Sequence, residues 1–363
     1  MSLFFFIHLL DVNLQQILLD GASQPPGDDV MEMQLLVLHR STVKVDMLKY
    51  FISDTILSKV LDVKMIDCRG IEERGEGVGV VRDAFSLFWN DVYNCLMLGE
   101  DERVPSIRHD MRREKWEALG RVFLKGYTQE RYFPIKISQV FMCCCLFGED
   151  SVNEDIYLES FLKYVSNSEA DVIQKVFSKS IGIDDDDLLD FLSAFDCKRQ
   201  VTEENIKEIV VEIAHKELIQ KPKYVSDCWV EILSPIKYFI PSKDALCQIY
   251  KSLYPTSSKI CRLIRANPTN PAESEAVSYL KRWIKGLDEN NLTKFLRLCT
   301  GSDVVLCDAI GITFTTLVGL TRRPIFHTCG CVIELPSTYE GFCDFREEWF
   351  SIISQGDIEM GIA

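Results

Sequence analysis

The chain has fewer positively charged residues than negatively charged ones. Its 363 residues include 40 Lys and Arg against 55 Asp and Glu, which gives a formal net charge of −15 at pH 7. A protein that binds DNA or RNA needs a basic face to neutralise phosphates. The charge therefore argues against a nucleic-acid partner and favours basic partner proteins.

Long hydrophobic runs are also missing near the start of the chain. The apolar stretch at residues 3–10 is too short to span a bilayer, and Asp11 follows it directly. No Lys or Arg precedes this stretch, so it makes a poor signal peptide. We expect no membrane partner, and we interpret residues 1–30 as an N-terminal extension that ends at the turn-rich segment 24–29.

Cys-x-x-Cys pairs are absent as well. The chain has 14 cysteines but no Cys-x-x-Cys, and three of them are consecutive at residues 143–145 in an apolar run. Disulfide frameworks are typical of small secreted domains, whereas a chain of this length with 47% apolar residues can bury ordinary cores. We interpret the cysteines as reduced thiols and expect a cytoplasmic or nuclear protein.

Nucleotide-binding signatures are incomplete. Gly75, Gly77 and Gly79 precede a segment with helical periodicity, yet the Rossmann spacing is missing and no Gly-Lys-Ser/Thr follows. We interpret these glycines as a tight structural loop beside Arg82. No cofactor is expected.

The chain divides by its periodicity into a helical part and a mixed part. Apolar residues recur at helical spacing through most of the first half, for example at Phe85, Phe88, Trp89, Val92 and Leu96. A Pro and Ser cluster at residues 254–258 indicates a hinge near residue 255. After it, helices at 272–286 and 291–298 alternate with short strands predicted at 304–305, 313–317 and 332–335, and a helix at 345–353 closes the chain.

Chemistry is concentrated at His327, Thr328 and Cys329, which Gly330 and Cys331 follow. The thiolate is the reactive form of cysteine, and a nearby imidazole is one of the side chains that favour it at neutral pH. If the segment is extended, His327 and Cys329 face the same side. Thr328 is expected to contribute hydrogen bonds in the loop.

This stretch, with the Leu-Pro and the aromatic residue that follow it, resembles the end of a HECT-type ubiquitin ligase. Further segments match that family in order and extend the resemblance over residues from about 35 to 363: 36–42 (LVLHRST), 75–89 (GEGVGVVRDAFSLFW), 120–147 (GRVFLKGY to FMCCCLF), 201–205 and 295–303 (FLRLCTGSD). The resemblance implies an α+β fold with two lobes. A large, mainly helical N-lobe with small sheets occupies residues 31–255, and a smaller α/β C-lobe occupies residues 256–363 beyond the hinge.

The resemblance also implies an activity. Cys329 would accept ubiquitin as a thioester from a ubiquitin-conjugating enzyme and pass it to a lysine of a protein substrate. His327 and Thr328 would support it, and the conjugating enzyme would dock on the N-lobe at about residues 188–235. The chain departs from the family at Gly330 and Cys331, where Phe-Asn is common, and at Met360, where many members have Phe. A HECT-like scaffold that binds ubiquitin or a conjugating enzyme without catalysis is the alternative.

Two other sites use the same residue types. His327, Cys329 and Cys331 alternate and carry zinc-ligating atoms, with Cys343 as a possible fourth ligand, but their spacing matches no finger pattern. A papain-like hydrolase would have its histidine far from the cysteine in sequence, together with an orienting Asn or Asp. We therefore predict no metal site and no protease.

Overall fold

A computed structural model describes residues 32–354, apart from the side chain of Leu320. Within them the chain has an α+β fold that is mostly helical, with small sheets. The predicted N-terminal extension at residues 1–30 and the position of Met360 lie outside the described residues. The α+β class predicted from the sequence is confirmed.

The fold begins with a parallel pair of strands, β1 (Met33–His39) and β2 (Val60–Ile66), joined through α1 (Val43–Phe51). The inward positions of the two strands are apolar and buried, as Leu36 and Val63 are. This alternation is the pattern of strands with one face on a core. The short antiparallel strands β3 (Met97–Leu98) and β4 (Val104–Pro105) follow further along the chain.

Helices build the rest of this part of the chain. The predicted face of α2 (Val78–Leu96) is confirmed, because Phe85, Phe88, Trp89, Val92 and Leu96 are all buried. The helix at Asp186–Ala194 begins directly after Asp185, whose carboxylate accepts a hydrogen bond from the Asp187 amide and so caps the helix. The other helices are α3 (Arg113–Glu130), α4 (Gln139–Phe147), α5 (Glu154–Tyr164), α6 (Asn167–Phe177), α7 (Asp186–Ala194), α8 (Ile206–His215), α9 (Lys223–Trp229) and α10 (Lys243–Leu253).

Residues 257–354 form a four-stranded sheet with helices around it. The strand order is β5-β6-β8-β7, in which β6 pairs in parallel with β5 and β8, and β7 is antiparallel to β8. The elements are α11 (Ser257–Leu263), β5 (Ile264–Ala266), α12 (Pro271–Lys285), α13 (Glu289–Thr300), β6 (Ile310–Thr315), β7 (Ile325–His327), β8 (Val332–Pro336) and α14 (Phe342–Ser354).

The described residues bury two separate hydrophobic clusters. The first cluster is formed by residues from Leu36 to Leu246 together with Val304, and the second by residues from Ile260 to Ile353. A contact between Trp349 and Trp283, whose ring centroids are 5.1 Å apart, lies at the centre of the second cluster. The predicted domain boundaries at residues 30 and 255 stay predictions.

The strand predicted at residues 304–305 is wrong. Val304 is buried in the first cluster, although the elements on both sides of it in sequence pack in the second. The amide of Val305 donates to the carbonyl of Leu253, at 3.0 Å, in an isolated bond rather than a ladder. Val304 and Val305 pack between the two clusters. Two consecutive apolar residues in the sequence are the pattern expected of a short buried strand, so the sequence does not distinguish the two cases.

No helix among residues 32–354 is both long enough and apolar enough to cross a membrane.

A pair of neighbouring aromatic residues tests the second cluster. Trp349 is 0% exposed and Phe350 is 61% exposed on the same helix, α14. We expect Trp349→Ala to lower the free energy of unfolding of this cluster by about 3–5 kcal/mol, because it removes a large buried ring. Phe350→Ala is the matched control and should change it by about 0.5 kcal/mol or less. Urea unfolding followed by circular dichroism measures the free energy of unfolding of both variants. If the two substitutions lower it equally, Trp349 is not more buried than Phe350.

Candidate functional site

Cys329 lies in the turn between two antiparallel strands. The pairing of β7 with β8 ends at His327 and Val332, so residues 328–331 form the connection. The turn is closed by the amide of Gly330, which donates to the carbonyl of His327 at 3.2 Å. Cys331 takes the left-handed conformation, with φ of 50°. This geometry holds the Cys329 side chain at the surface, where it is exposed.

The thiol of Cys329 is held by a carbonyl from the other end of the chain. Its Sγ donates to the backbone oxygen of Glu76 at 2.8 Å. A thiolate has no proton to donate and would face the negative end of the carbonyl dipole. The hydrogen bond therefore uses the S–H proton, and it has to break before the sulfur forms a bond to another group.

Glycines in the loop before α2 make this contact possible. Gly77 has φ of 83°, a left-handed backbone that favours glycine, and a Cβ placed on it would lie 3.6 Å from Cys329 Sγ. A Cβ on Gly79 would lie 2.4 Å from Thr328 Oγ1 and 2.9 Å from the amide nitrogen of Cys329. The structure thus brings together two motifs that the sequence presents about 250 residues apart, the glycine loop and the cysteine turn.

His327 is paired with a carboxylate that sequence reasoning missed. Its Nε2 lies 2.8 Å from Oε1 of Glu334 on β8, and both side chains are about one-third exposed. The condition of an extended segment is not met, because residues 328–331 form a turn, so strand alternation does not place His327 and Cys329 on one face. In the sequence, the only hint of this pair is Glu334, an acidic residue on the strand after the turn. Side chains at diagonal positions of a hairpin, such as His327 and Glu334, can reach each other.

Thr328 supports the turn through its backbone. Its carbonyl accepts a hydrogen bond from the amide of Cys331 at 3.4 Å, and its side chain lies against Gly79. Cys343, considered as a zinc ligand with His327, Cys329 and Cys331, is an exposed free thiol on α14. In the part of the chain that the structure describes, no group of three His, Cys, Asp or Glu side chains is placed to hold a metal ion.

A buried charge lies one helical turn beyond the glycine loop. Asp83 is 0% exposed, and its carboxylate meets Arg297 Nε at 2.5 Å and Arg40 Nη1 at 2.9 Å. Arg40 also pairs with Glu73. Burial lowers the pKa of Arg40, but its hydrogen bonds and charge interactions with Glu73 and Asp83 outweigh this and raise the pKa above its ordinary value.

Arg82, the neighbour of Asp83, turns towards the first cluster and contacts Glu130 of α3, with 3.2 Å between its Nε and the carboxylate. The glutamate is largely buried, and burial raises its pKa although the Arg82 charge opposes the rise. Asp83 was not singled out from the sequence, because a single acid within a helical pattern does not show that it is buried.

Comparison of the chain with models of known protein families and with curated proteins finds no match.

Enlarging Gly79 tests whether the glycine loop holds the cysteine turn. We expect Gly79→Ala to displace the turn, because its Cβ would overlap Thr328 and the Cys329 amide. Loss of the hydrogen bond to Glu76, with a net free energy of about 0.5–1.5 kcal/mol, corresponds to a roughly two- to tenfold faster reaction of Cys329 with iodoacetamide. Peptide mass spectrometry measures the rate, and circular dichroism checks the fold.

Gly341→Ala is the control for this substitution, since a Cβ there meets nothing within 4 Å. Its alkylation rate should equal that of the unmodified chain. If folded Gly79→Ala also alkylates at the unmodified rate, the contact between loop and turn does not restrain Cys329.

Proposed function

We propose that the chain is a HECT-type ubiquitin ligase that carries ubiquitin as a thioester on Cys329. The exposed position of Cys329 on a surface turn is the observation that supports this most directly. An acyl group as large as ubiquitin can be accepted only by a sulfur that a second protein can approach. A sulfur in the interior, as at Cys299, would not serve.

The proposed reaction has two acyl transfers. The Cys329 thiolate attacks the carbonyl carbon of the thioester between ubiquitin and the conjugating enzyme; a new C–S bond forms, and the conjugating enzyme leaves as its thiolate. The neutral amine of a substrate lysine then attacks the carbonyl on Cys329, loses a proton and forms an isopeptide bond. Cys329 leaves as a thiolate, so the overall reaction needs no metal or nucleotide.

The pair of His327 and Glu334 supports the second transfer. An amine that attacks a thioester has to lose a proton, and an imidazole paired with a carboxylate is a suitable acceptor. The Glu334 carboxylate lies 2.8 Å from Nε2 and orients the imidazole. His327 keeps the supporting role that the sequence resemblance implied, and Thr328 shapes the turn.

In this proposal the two hydrophobic clusters correspond to the two lobes, residues 31–255 and 256–363, with a hinge near residue 255. The conjugating enzyme would dock on the first lobe at about residues 188–235. Leu189, Tyr224 and Val230 within that range are exposed apolar or aromatic side chains. Such side chains are typical anchors of protein interfaces.

One observation favours the alternative, a HECT-like scaffold without catalysis. The Cys329 thiol donates to the carbonyl of Glu76, so the sulfur is already engaged in a contact within the chain. A scaffold would bind ubiquitin or the conjugating enzyme in this arrangement and never form a thioester. The exposed sulfur favours the ligase over this alternative, because a scaffold has no need of it.

Thioester formation distinguishes the two. A conjugating enzyme charged with ubiquitin is mixed with the chain, and the products are separated without reductant. We expect an adduct of the chain with one ubiquitin that dithiothreitol removes. Cys329→Ser should form an adduct that resists dithiothreitol, since an oxygen ester is stable to thiols, and Cys329→Ala should form none.

Cys343→Ser is the matched control, because Cys343 is also an exposed free thiol in the C-terminal part of the chain. It should form as much adduct as the unmodified chain. A chain that binds the charged enzyme and forms no adduct over a panel of conjugating enzymes would support the scaffold and refute the ligase.

A further inference from the structure

A small cavity lies where the chain passes from the first hydrophobic cluster to the second. It encloses about 390 Å³, including space that is open to solvent. Tyr93 and Lys136 line it from the first part of the chain, and Glu289 lines it from the start of α13. The predicted hinge supplies Tyr254 and Pro255. A molecule bound in this hinge cavity would therefore touch both parts of the chain at once.

The charged side chains of the hinge cavity are mostly acidic. Three carboxylates line it, those of Asp101, Glu289 and Asp303, against the ammonium of Lys136. Three negative charges against one positive charge leave a formal excess of two negative charges. None of these four side chains forms an ion pair with another residue among residues 32–354. The excess charge is therefore left for a ligand to neutralise.

Two polar groups of the cavity can accept further hydrogen bonds. Tyr93 is 4% exposed, and no side chain in the described part of the chain hydrogen-bonds its hydroxyl. The amide of Lys136 interacts with the hydroxyl oxygen, which keeps a lone pair for another N–H donor. The carboxylate of Asp303 accepts the Tyr132 hydroxyl at 2.8 Å through one oxygen. Burial raises the pKa of Asp303, so a cation beside it would stabilise its charged form.

The spacing of the carboxylates favours an organic cation over a metal ion. No three His, Cys, Asp or Glu side chains in the described ranges are placed to hold one metal ion, so these carboxylates are too far apart to share one. A guanidinium or alkylammonium group carries several N–H donors on a methylene stem and can reach separate acceptors. Ile135 and Val304 give the cavity an apolar wall on which such a stem can pack.

We propose that the hinge cavity binds an organic cation through a guanidinium or alkylammonium group. Its N–H groups donate to the carboxylates of Asp303 and Glu289 and to the Tyr93 hydroxyl, while its stem packs on the apolar wall. Because these residues belong to both parts of the chain, the bound cation links the two parts and restrains the hinge. The cation is either a free small amine or the side chain of an Arg or Lys of a partner protein. The site does not involve Cys329, so it is independent of ubiquitin transfer.

Agmatine, which carries a guanidinium and an ammonium on one methylene chain, is the probe that tests the site. Calorimetric titration of the full chain should show saturable binding. Asp101→Asn and Glu289→Gln should each weaken it roughly two- to tenfold, because each removes a negative charge from the wall. Lys136→Gln should strengthen it by removing a like charge. Asp308→Asn is the matched control, since Asp308 is an exposed carboxylate outside the cavity, and it should bind agmatine as the unmodified chain does.

Hydrogen exchange tests whether the cation links the two parts of the chain. The amide of Val305 donates to the carbonyl of Leu253 at 3.0 Å, and both residues adjoin residues of the cavity wall. Saturating agmatine should slow the exchange of the Val305 amide, measured by mass spectrometry of the peptide that contains it. Unchanged exchange with agmatine bound would show that the cation does not restrain the hinge.

Two further ligands complete the test. N-acetylarginine methylamide presents the guanidinium on a peptide backbone. If it binds as agmatine does, the arginine of a partner protein fits the cavity, and if agmatine alone binds, the ligand is a free small amine. Magnesium chloride should show no saturable binding. The proposal is overturned if agmatine does not bind, if magnesium binds equally well, or if Asp101→Asn and Glu289→Gln bind agmatine as tightly as Asp308→Asn does, since the net charge of −15 then attracts the cation without a site.

Discussion

A single carboxylate that water does not reach joins segments that flank both hydrophobic clusters. Asp83 belongs to α2, and its two cationic partners come from opposite ends of the chain, Arg40 beside the first cluster and Arg297 from the second. A buried charge without partners is severely destabilising, and removing one partner of such a pair costs about 3–5 kcal/mol. Both guanidiniums have to be in place for Asp83 to be buried, so this carboxylate sets how the clusters meet.

The same helix places the cysteine turn. Its first turn passes between two segments of the second cluster, because a Cβ on Gly301 would lie 2.1 Å from the carbonyl oxygen of Gly79, while Thr328 approaches Gly79 itself. About two turns further along, the Ser86 hydroxyl donates to the carbonyl of Gly301 and accepts from the amide of Asp303, both at 3.2 Å. The helix α2 and the loop before it thus bring the buried charge, the close backbone packing and the Glu76 contact of Cys329 into one short stretch.

Features that depend on neighbouring residues in the chain were predictable from the sequence. Contacts between residues far apart in the chain were not. Periodicity predicted the buried face of α2, and Thr328 was expected to lie in a loop, because both features depend on neighbours in the chain. The contact between Glu76 and Cys329 depends on tertiary packing between segments some 250 residues apart. Hydrophobic periodicity gives no information on such contacts. Val304 shows the converse error, since its burial between clusters was mistaken for a strand. The Cys331 conformation escaped notice because cysteine is not a residue that signals a left-handed backbone.

The Glu76 contact has a consequence for the proposed acyl transfer. Once ubiquitin is joined to Cys329, the sulfur carries no hydrogen and cannot donate to the Glu76 carbonyl, so loading removes the bond at 2.8 Å that closes the turn against α2. A ligand shifts a conformational equilibrium by its difference in affinity for the two states. The loss of one hydrogen bond, with a net free energy of about 0.5–1.5 kcal/mol, favours the open turn by a factor of roughly two to ten. The chemistry itself would then free the turn to present the thioester to a lysine, while the charge pairs of Asp83, which do not involve the sulfur, continue to hold the clusters together.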